Sequence, residues 1–356
     1  MYITTDLKNS IPLCGGSPGS YEWWYYDAFD PENDCGVVII FYSSNPFSIN
    51  KIKDLEDDLN AAAKLYPALS ISIYKENKAV YYSFKEFAES EFQYDEETNN
   101  FTFGDHSFTY QINDQTLTTH LNIIQKLDSD LSLDLSLQFE GSKTSSELIN
   151  RKAEKDHIWN LLLPVADVNG DIIIDDSGLK EEIKFRGKGY HDHNAGDSPM
   201  KESFRDWYWG RYHFEDCTLI YYLMNEKTGS QYEGWLIDKD NGQVITEFTE
   251  LSDESAAFNI FGLKSSRLIS LSSDSHQVTI QTDKVIDDGP FYQRFKGRAI
   301  LNTGEEVKIS EGLSEYIYPS RIYSKLFWPL VHMRLEYVQS KRHWVQGSNF
   351  WYKLTW

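Results

Sequence analysis

Three cysteines in 356 residues, Cys14, Cys35 and Cys217, stand at no paired spacing. So small a count excludes a disulfide framework and fits a reducing compartment. Basic residues are scarce too: 34 Lys and Arg face 55 Asp and Glu, a formal charge of −21. Such a chain repels nucleic-acid phosphate, so no nucleic-acid partner is expected, and any membrane contact has to be apolar and peripheral. Long hydrophobic runs are missing. The longest strongly apolar one, VVIIFY at 37–42, is far too short to span a bilayer. The opening MYITTDLKNSIPLCGG has neither a basic nor an apolar leader region, so the expected location is cytoplasmic, at most peripheral to the inner membrane. No glycine-rich phosphate loop stands between a strand and a helix, which leaves a nucleotide cofactor without a seat. GGSPG at 15–19 imitates the nucleophile elbow of a serine hydrolase. Pro18 after Ser17, however, has no N–H for an oxyanion hole, and strand-like sequence comes after it.

Aromatic residues are what the chain has in excess: 23 Tyr, 20 Phe and 10 Trp. Rings in that supply suit strands and large apolar cavities. Period-two patterning runs through ALSISIYK (68–75), AVYYSF (79–84), SFTYQI (107–112), TLTTHLNII (116–124) and LSLDLSLQF (131–139). It resumes in TLIYYLM (218–224), GWLIDKDNGQVITEF (234–248), RLISLSS (267–273) and HQVTIQT (276–282). These read as half-buried antiparallel strands, with hairpin turns at Asn241-Gly242 and Thr303-Gly304. The best helix candidate is INKIKDLEDDLNAAAKL (49–65), where Ile52, Leu55, Leu59 and Ala62 roughly share a face; the stretch equally fits an ordered surface insertion. Short strands with turns every ten or so residues predict an all-β chain of two antiparallel barrels in tandem, residues 1–190 and 191–356, the boundary falling within 180–200.

Chemistry concentrates in GKGYHDHNAG, residues 187–196. On a strand, alternation puts Tyr190, Asp192 and Asn194 on one face and His191 with His193 on the other. The histidine pair has metal-ligand geometry, with His157 or His213 as a third ligand, or else both rings simply hydrogen-bond their surroundings. An aspartate between a phenol and an amide, among aromatics, can be desolvated enough to stay protonated and act as a general acid; ionised, it would cap a turn. Two further stretches could wall a cavity. In SYEWWYYDAF (20–29), Glu22, Trp24 and Tyr26 lie opposite Tyr21, Trp23, Tyr25 and Asp27. In RDWYWGRYHF (205–214), Trp207, Trp209 and Arg211 share a face, and Arg211 is the natural kind of partner for a buried Glu22.

At SPGSYEWWYYDAF, HIWNLLLP (157–164) and GKGYHDHNAG…WYWGR (187–211) the chain resembles the carotenoid 1,2-hydratase family, also called hydroxyneurosporene synthase or AttH-like. The motifs stand in the same order, and the flanking strands fit over nearly the whole chain. The resemblance implies two lipocalin-like barrels and cofactor-free, metal-free addition of water to a terminal carbon–carbon double bond of a hydrophobic isoprenoid or polyene. It also implies that a His-x-Trp pair, here His157 and Trp159, and a Tyr-x-Asp pair, here Tyr190 and Asp192, carry the activity. Glu22, Trp24, Tyr26, Asn194, Trp207, Trp209 and Arg211 are then expected to bind substrate. The wider superfamily includes fungal enzymes that close decalin rings by pericyclic reaction, so a pericyclase is an alternative, and a non-catalytic lipid carrier a second. One departure stands out: where the family motif continues Asp-His-Asn-Trp-Gly, this chain has Ala195. Losing the indole is expected to open the cavity.

Overall fold

The computed structural model describes residues 2–6, 10–13, 17–57, 64–113, 116–127, 130–144, 157–226 and 229–356. Cys14 and, from the elbow-like stretch, Gly15 and Gly16 lie outside the described residues, as do Leu59 and Ala62 of the helical pattern. Within them the alternating stretches are strands, and Cys35 and Cys217 are buried free thiols.

The chain divides into two compact units, Met1–Pro199 with Lys325–Trp356, and Met200–Ser324. In the first lie β1 (Tyr2–Thr4), β2 (Tyr21–Asp30), β3 (Cys35–Ser44), β4 (Ala68–Lys75), β5 (Lys78–Glu86), β6 (Phe92–Asp95), β7 (Asn100–Phe103), β8 (His106–Ile112), β9 (Thr116–Lys126), β10 (Leu131–Ser142), β11 (Ile158–Asp176) and β12 (Leu179–Gly196). The second holds β13 (Phe204–His213), β14 (Cys217–Glu226), β15 (Ser230–Asp238), β16 (Val244–Glu247), β17 (Glu250–Glu254), β18 (Ala257–Phe258), β19 (Lys264–Ser265), β20 (Leu268–Ser272), β21 (Gln277–Asp288), β22 (Tyr292–Asn302) and β23 (Val307–Ile317). Strand β24 (Leu335–Tyr337) then returns to the first unit, where it pairs in parallel with β5. The observed division thus differs from a cut at 190. Residues 191–199 complete β12 and the bend after it, and residues 325–356 pack with the first unit because Val345 and Tyr352 enter its core.

The first sheet runs β24-β5-β4-β3-β2-β12-β11-β10-β9-β8-β7-β6, with β1 added beside β11. It curls on itself. Phe41 of β3 and Phe103 of β7 are far apart in strand order, yet their rings lie 5.2 Å apart in one core. The second sheet, β16-β15-β14-β13-β23-β22-β21-β20-β17, likewise gathers Leu236 of β15 and Leu271 of β20 into one core. The fold is all-β, two lipocalin-like units built from curled antiparallel sheets. Among the described residues helix is confined to short pieces, the longest being α1 (Ile49–Asp57), which buries Ile49 and Ile52.

Asn241-Gly242 does mark a hairpin, but a wider one than two residues. The carboxylate of Asp238 accepts the N–H groups of Asp240 and Asn241, and Gly242 takes the left-handed conformation (φ 66°) before the ladder resumes at Val244.

Candidate active site

Strand β12 lies between β2 and β11 in the middle of its sheet. Its pairing sets Asp192 opposite Tyr25 and Leu161, and Asn194 opposite Trp23 and Trp159. All of these side chains therefore share one face. A bulge in β11 advances two residues there, from Leu161 to Leu163, against one step on β12. Before it, Trp159 and Leu161 look toward Asp192; after it, Leu163 belongs to the core of the unit.

The carboxyl group of Asp192, 4% exposed, is the centre of this face. Trp159 Nε1 donates to its Oδ2 at 2.8 Å, and the Tyr190 hydroxyl donates to the same oxygen at 2.7 Å. Asn194 Nδ2 donates to Oδ1 at 2.9 Å. Three donors on one carboxyl favour its ionised form, while its burial among rings favours the neutral one. Reversing the Asn194 amide turns the Oδ1 contact from donor into acceptor, so the same geometry can hold a proton on Oδ1.

His157 sits beside it. Its Nδ1 is 2.9 Å from the hydroxyl of Tyr21, and its ring lies against Tyr21 and Trp23 at centroid distances of 5.9 and 6.0 Å. Burial pushes its pKa down to about 3, with the Asn194 side chain pulling weakly upward, so the imidazole is neutral at neutral pH. Gly196 makes the arrangement possible: a Cβ there would stand 2.3 Å from the Tyr21 ring. Tyr25 meets the Tyr190 ring edge-on at 6.1 Å, and Asp27, paired across with Tyr190, adds a second buried carboxyl to the face.

The structure thus gathers Asp192, Tyr190, Asn194, Trp159 and His157, as the motifs predict. It does not bring Glu22, Trp24 and Tyr26 to them. Those three point from β2 to the opposite face, into the core. Glu22 accepts from Ser43 Oγ and from the Leu13 N–H (2.7 Å), and lies 2.9 Å from His193 Nε2. These bonds answer its burial. Trp24 stacks on His193 at 4.8 Å, and Tyr26 on His191 at 3.9 Å. The residues missed were their neighbours Tyr21, Trp23, Tyr25 and Asp27. Alternation separates the two rows of this stretch, but which row faces Asp192 is set by the β2–β12 register, which the sequence does not carry.

Metal ligation by the histidine face is overturned at His191: its Nε2 is 2.7 Å from the Tyr110 hydroxyl and its Nδ1 2.9 Å from the Tyr25 carbonyl, leaving no lone pair to give. Burial drives its pKa down to about 3. Trp207, Trp209 and Arg211 lie in the second unit, on the face of β13 opposite the Tyr208 and Tyr212 that enter its core. There Trp209 falls in one row with Glu233, Tyr222, Glu315 and Arg294, all buried, and Arg294 Nε donates to Glu315 at 2.8 Å.

A family model, carotenoid hydratase CrtC, matches residues 68–344 of the chain. The chain belongs to the carotenoid hydratase CrtC family. It is 28% identical to the "hydroxyneurosporene dehydrogenase" of Chlorobaculum tepidum over 98% of this chain and 93% of that one. With the acyclic carotenoid 1,2-hydratase of Thiocapsa roseopersicina it shares 22% identity over 60% of this chain and 50% of that one. The crystal structure of CghA matches at a TM-score of 0.60 and 12% identity, covering 86% of this chain and 93% of CghA, a likeness of fold. Membership in CrtC makes the protein an enzyme of the hydratase kind. In this CrtC chain the unusual Ala195 pairs with Glu22 and lies on the His191–His193 face, so the missing indole changes the packed side of β12 and leaves the Asp192 side as it is.

Proposed function

We propose that this CrtC chain adds water to a terminal carbon–carbon double bond of an acyclic polyene or isoprenoid, with Asp192 as the proton donor and no cofactor. The observation that carries the reading is the buried carboxyl of Asp192 bonded by Trp159, Tyr190 and Asn194. Protonated on Oδ1, Asp192 delivers its proton to the less substituted alkene carbon, leaving a tertiary carbocation and a carboxylate. Trp159, Tyr190 and Tyr25 on the same face offer ring electrons to that cation, worth about 1–2 kcal/mol each when desolvated. Water then bonds to the cationic carbon, and its surplus proton returns to Asp192 directly or through neutral His157. Trp159 and Tyr190, which donate to Oδ2 in both protonation states, make the first step productive, because their bonds strengthen as the proton leaves.

The same three donors favour a second reading, in which Asp192 stays ionised and the face orients a polyene for ring closure without proton transfer. Product analysis in deuterated water separates the two, with lycopene and shorter acyclic polyenes as substrates. Deuterium beside a new tertiary alcohol, absent with Asp192→Asn, is the expected result. Turnover without deuterium uptake, retained in Asp192→Asn, establishes ring closure, and unchanged polyene that co-purifies establishes a carrier.

A further inference from the structure

The charge of the chain is unevenly placed. Residues 325–356 carry five Lys or Arg and one Glu, whereas the remaining residues carry 29 Lys or Arg against 54 Asp or Glu. The same segment holds a cluster of large apolar side chains facing outward. Trp344 is 66% exposed, Phe350 66%, Trp351 49% and Leu354 64%. The rings touch: Trp344 meets Trp351 at 6.2 Å and Phe350 meets Trp351 at 5.1 Å. Their support is rigid. Val345 and Tyr352, alternating with them in sequence, are buried in the core of the first unit, and Lys353 and Asn349 are tied to Asp176. Lys341 stands exposed just before the cluster. The segment is therefore amphipathic, fixed inward by Val345 and Tyr352 and presenting aromatic rings outward beside exposed Lys341, while Arg342 and Lys353 are paired with Glu336 and Asp176.

We propose that this surface docks the protein on a bilayer containing anionic lipid. Indole and phenyl rings favour the headgroup boundary, and flanking Lys and Arg are drawn to anionic headgroups, whereas the rest of the chain is repelled by them. A protein carrying −21 overall approaches such a surface only through a segment of the opposite sign. Docking would bring the first unit to the place where a long polyene resides. That purpose rests on the reading given above, but the docking itself does not.

The purified full chain, without substrate, is sedimented with vesicles of phosphatidylcholine alone and of phosphatidylcholine with phosphatidylglycerol. The wild type is expected to co-sediment with the anionic vesicles and to be released by salt. Phe350→Ser/Trp351→Ser should lower the bound fraction about tenfold and Lys341→Glu by less, the latter without touching the aromatic cluster. Turnover of polyene presented in detergent should be unchanged in the double variant, while turnover from vesicles falls. Wild type left in the supernatant with both vesicles overturns the proposal, as does binding equal in wild type and variants. A wild-type dimer that the double variant dissolves, with no vesicle binding, shows that a second copy covers the patch instead. If the double variant does not fold, salt release and Lys341→Glu still decide. Vesicle binding with no hydration product would fail the hydratase reading and leave this one standing.

Discussion

On one face of β12, His191 and His193 stack on Tyr26 and Trp24, and each is bonded to a group of its own core. On the other face, one residue away, Asp192 collects donors from two strands, and its Asn194 contact can run in either direction. Both rows are buried, polar and aromatic. What separates them is how the bonds are arranged: His191 is tied to Tyr110 and Tyr25 and His193 Nε2 to Glu22, one contact per nitrogen, whereas three side-chain donors converge on the one carboxyl of Asp192. Burial alone therefore does not mark a reactive group. The count of donors and acceptors around it does.

The strongest way to break the comparison is Asp192→Asn. Turnover should drop by about 10²–10⁴-fold with a melting temperature near that of wild type, because the amide still accepts from Trp159 and Tyr190. Its counterpart, His191→Leu, should do the reverse. It removes the bonds to the Tyr110 hydroxyl and the Tyr25 carbonyl and should cost roughly 2–4 kcal/mol in denaturant unfolding, with turnover per folded molecule largely kept. Gly196→Ala lies between the two. The added methyl group must displace the Tyr21 ring that holds His157, costing about 1–3 kcal/mol and lowering activity together. Trp159→Phe removes one donor and leaves a ring; a loss of about tenfold in turnover matches one hydrogen bond.

A further effect is common to both faces. His157 and His191 have folded pKa values near 3, below the unfolded value of 6.5. Between those values the unfolded chain binds more protons, so stability is fully present above about pH 6.5 and falls as pH drops toward 3. Melting temperatures measured from pH 7 to pH 4 should show this slope, and His157→Asn should flatten it.

Much of the fold was legible because alternation is a local property. ALSISIYK is β4 residue for residue, and the faces of β12 follow from counting by twos. The Tyr-x-Asp and His-x-Trp pairs were legible by resemblance, and they meet. Register was not. Nothing in SYEWWYYDAF says whether Trp24 or Tyr25 shall stand with Asp192; that depends on which residues of β2 and β12 lie opposite, a long-range outcome of packing. For the same reason the sequence concealed that residues 325–356 would leave the second half of the chain and complete the first unit. A three-residue strand such as β24 has too little pattern to announce its partner.

That return has a consequence for the order of events during synthesis. Strand β24 closes the open edge of β5, and Val345 and Tyr352 fill the core beside it, yet the two strands are separated by the entire second unit. With about 250 residues between them and translation at about 5–20 residues per second, the edge of β5 waits roughly 12–50 s for its cover. Through that interval the nascent first unit presents a bare strand edge, the kind of surface that recruits other chains. A ribosome that stalls within the second unit therefore releases a chain whose first half has its site strands in place but no seam to close them.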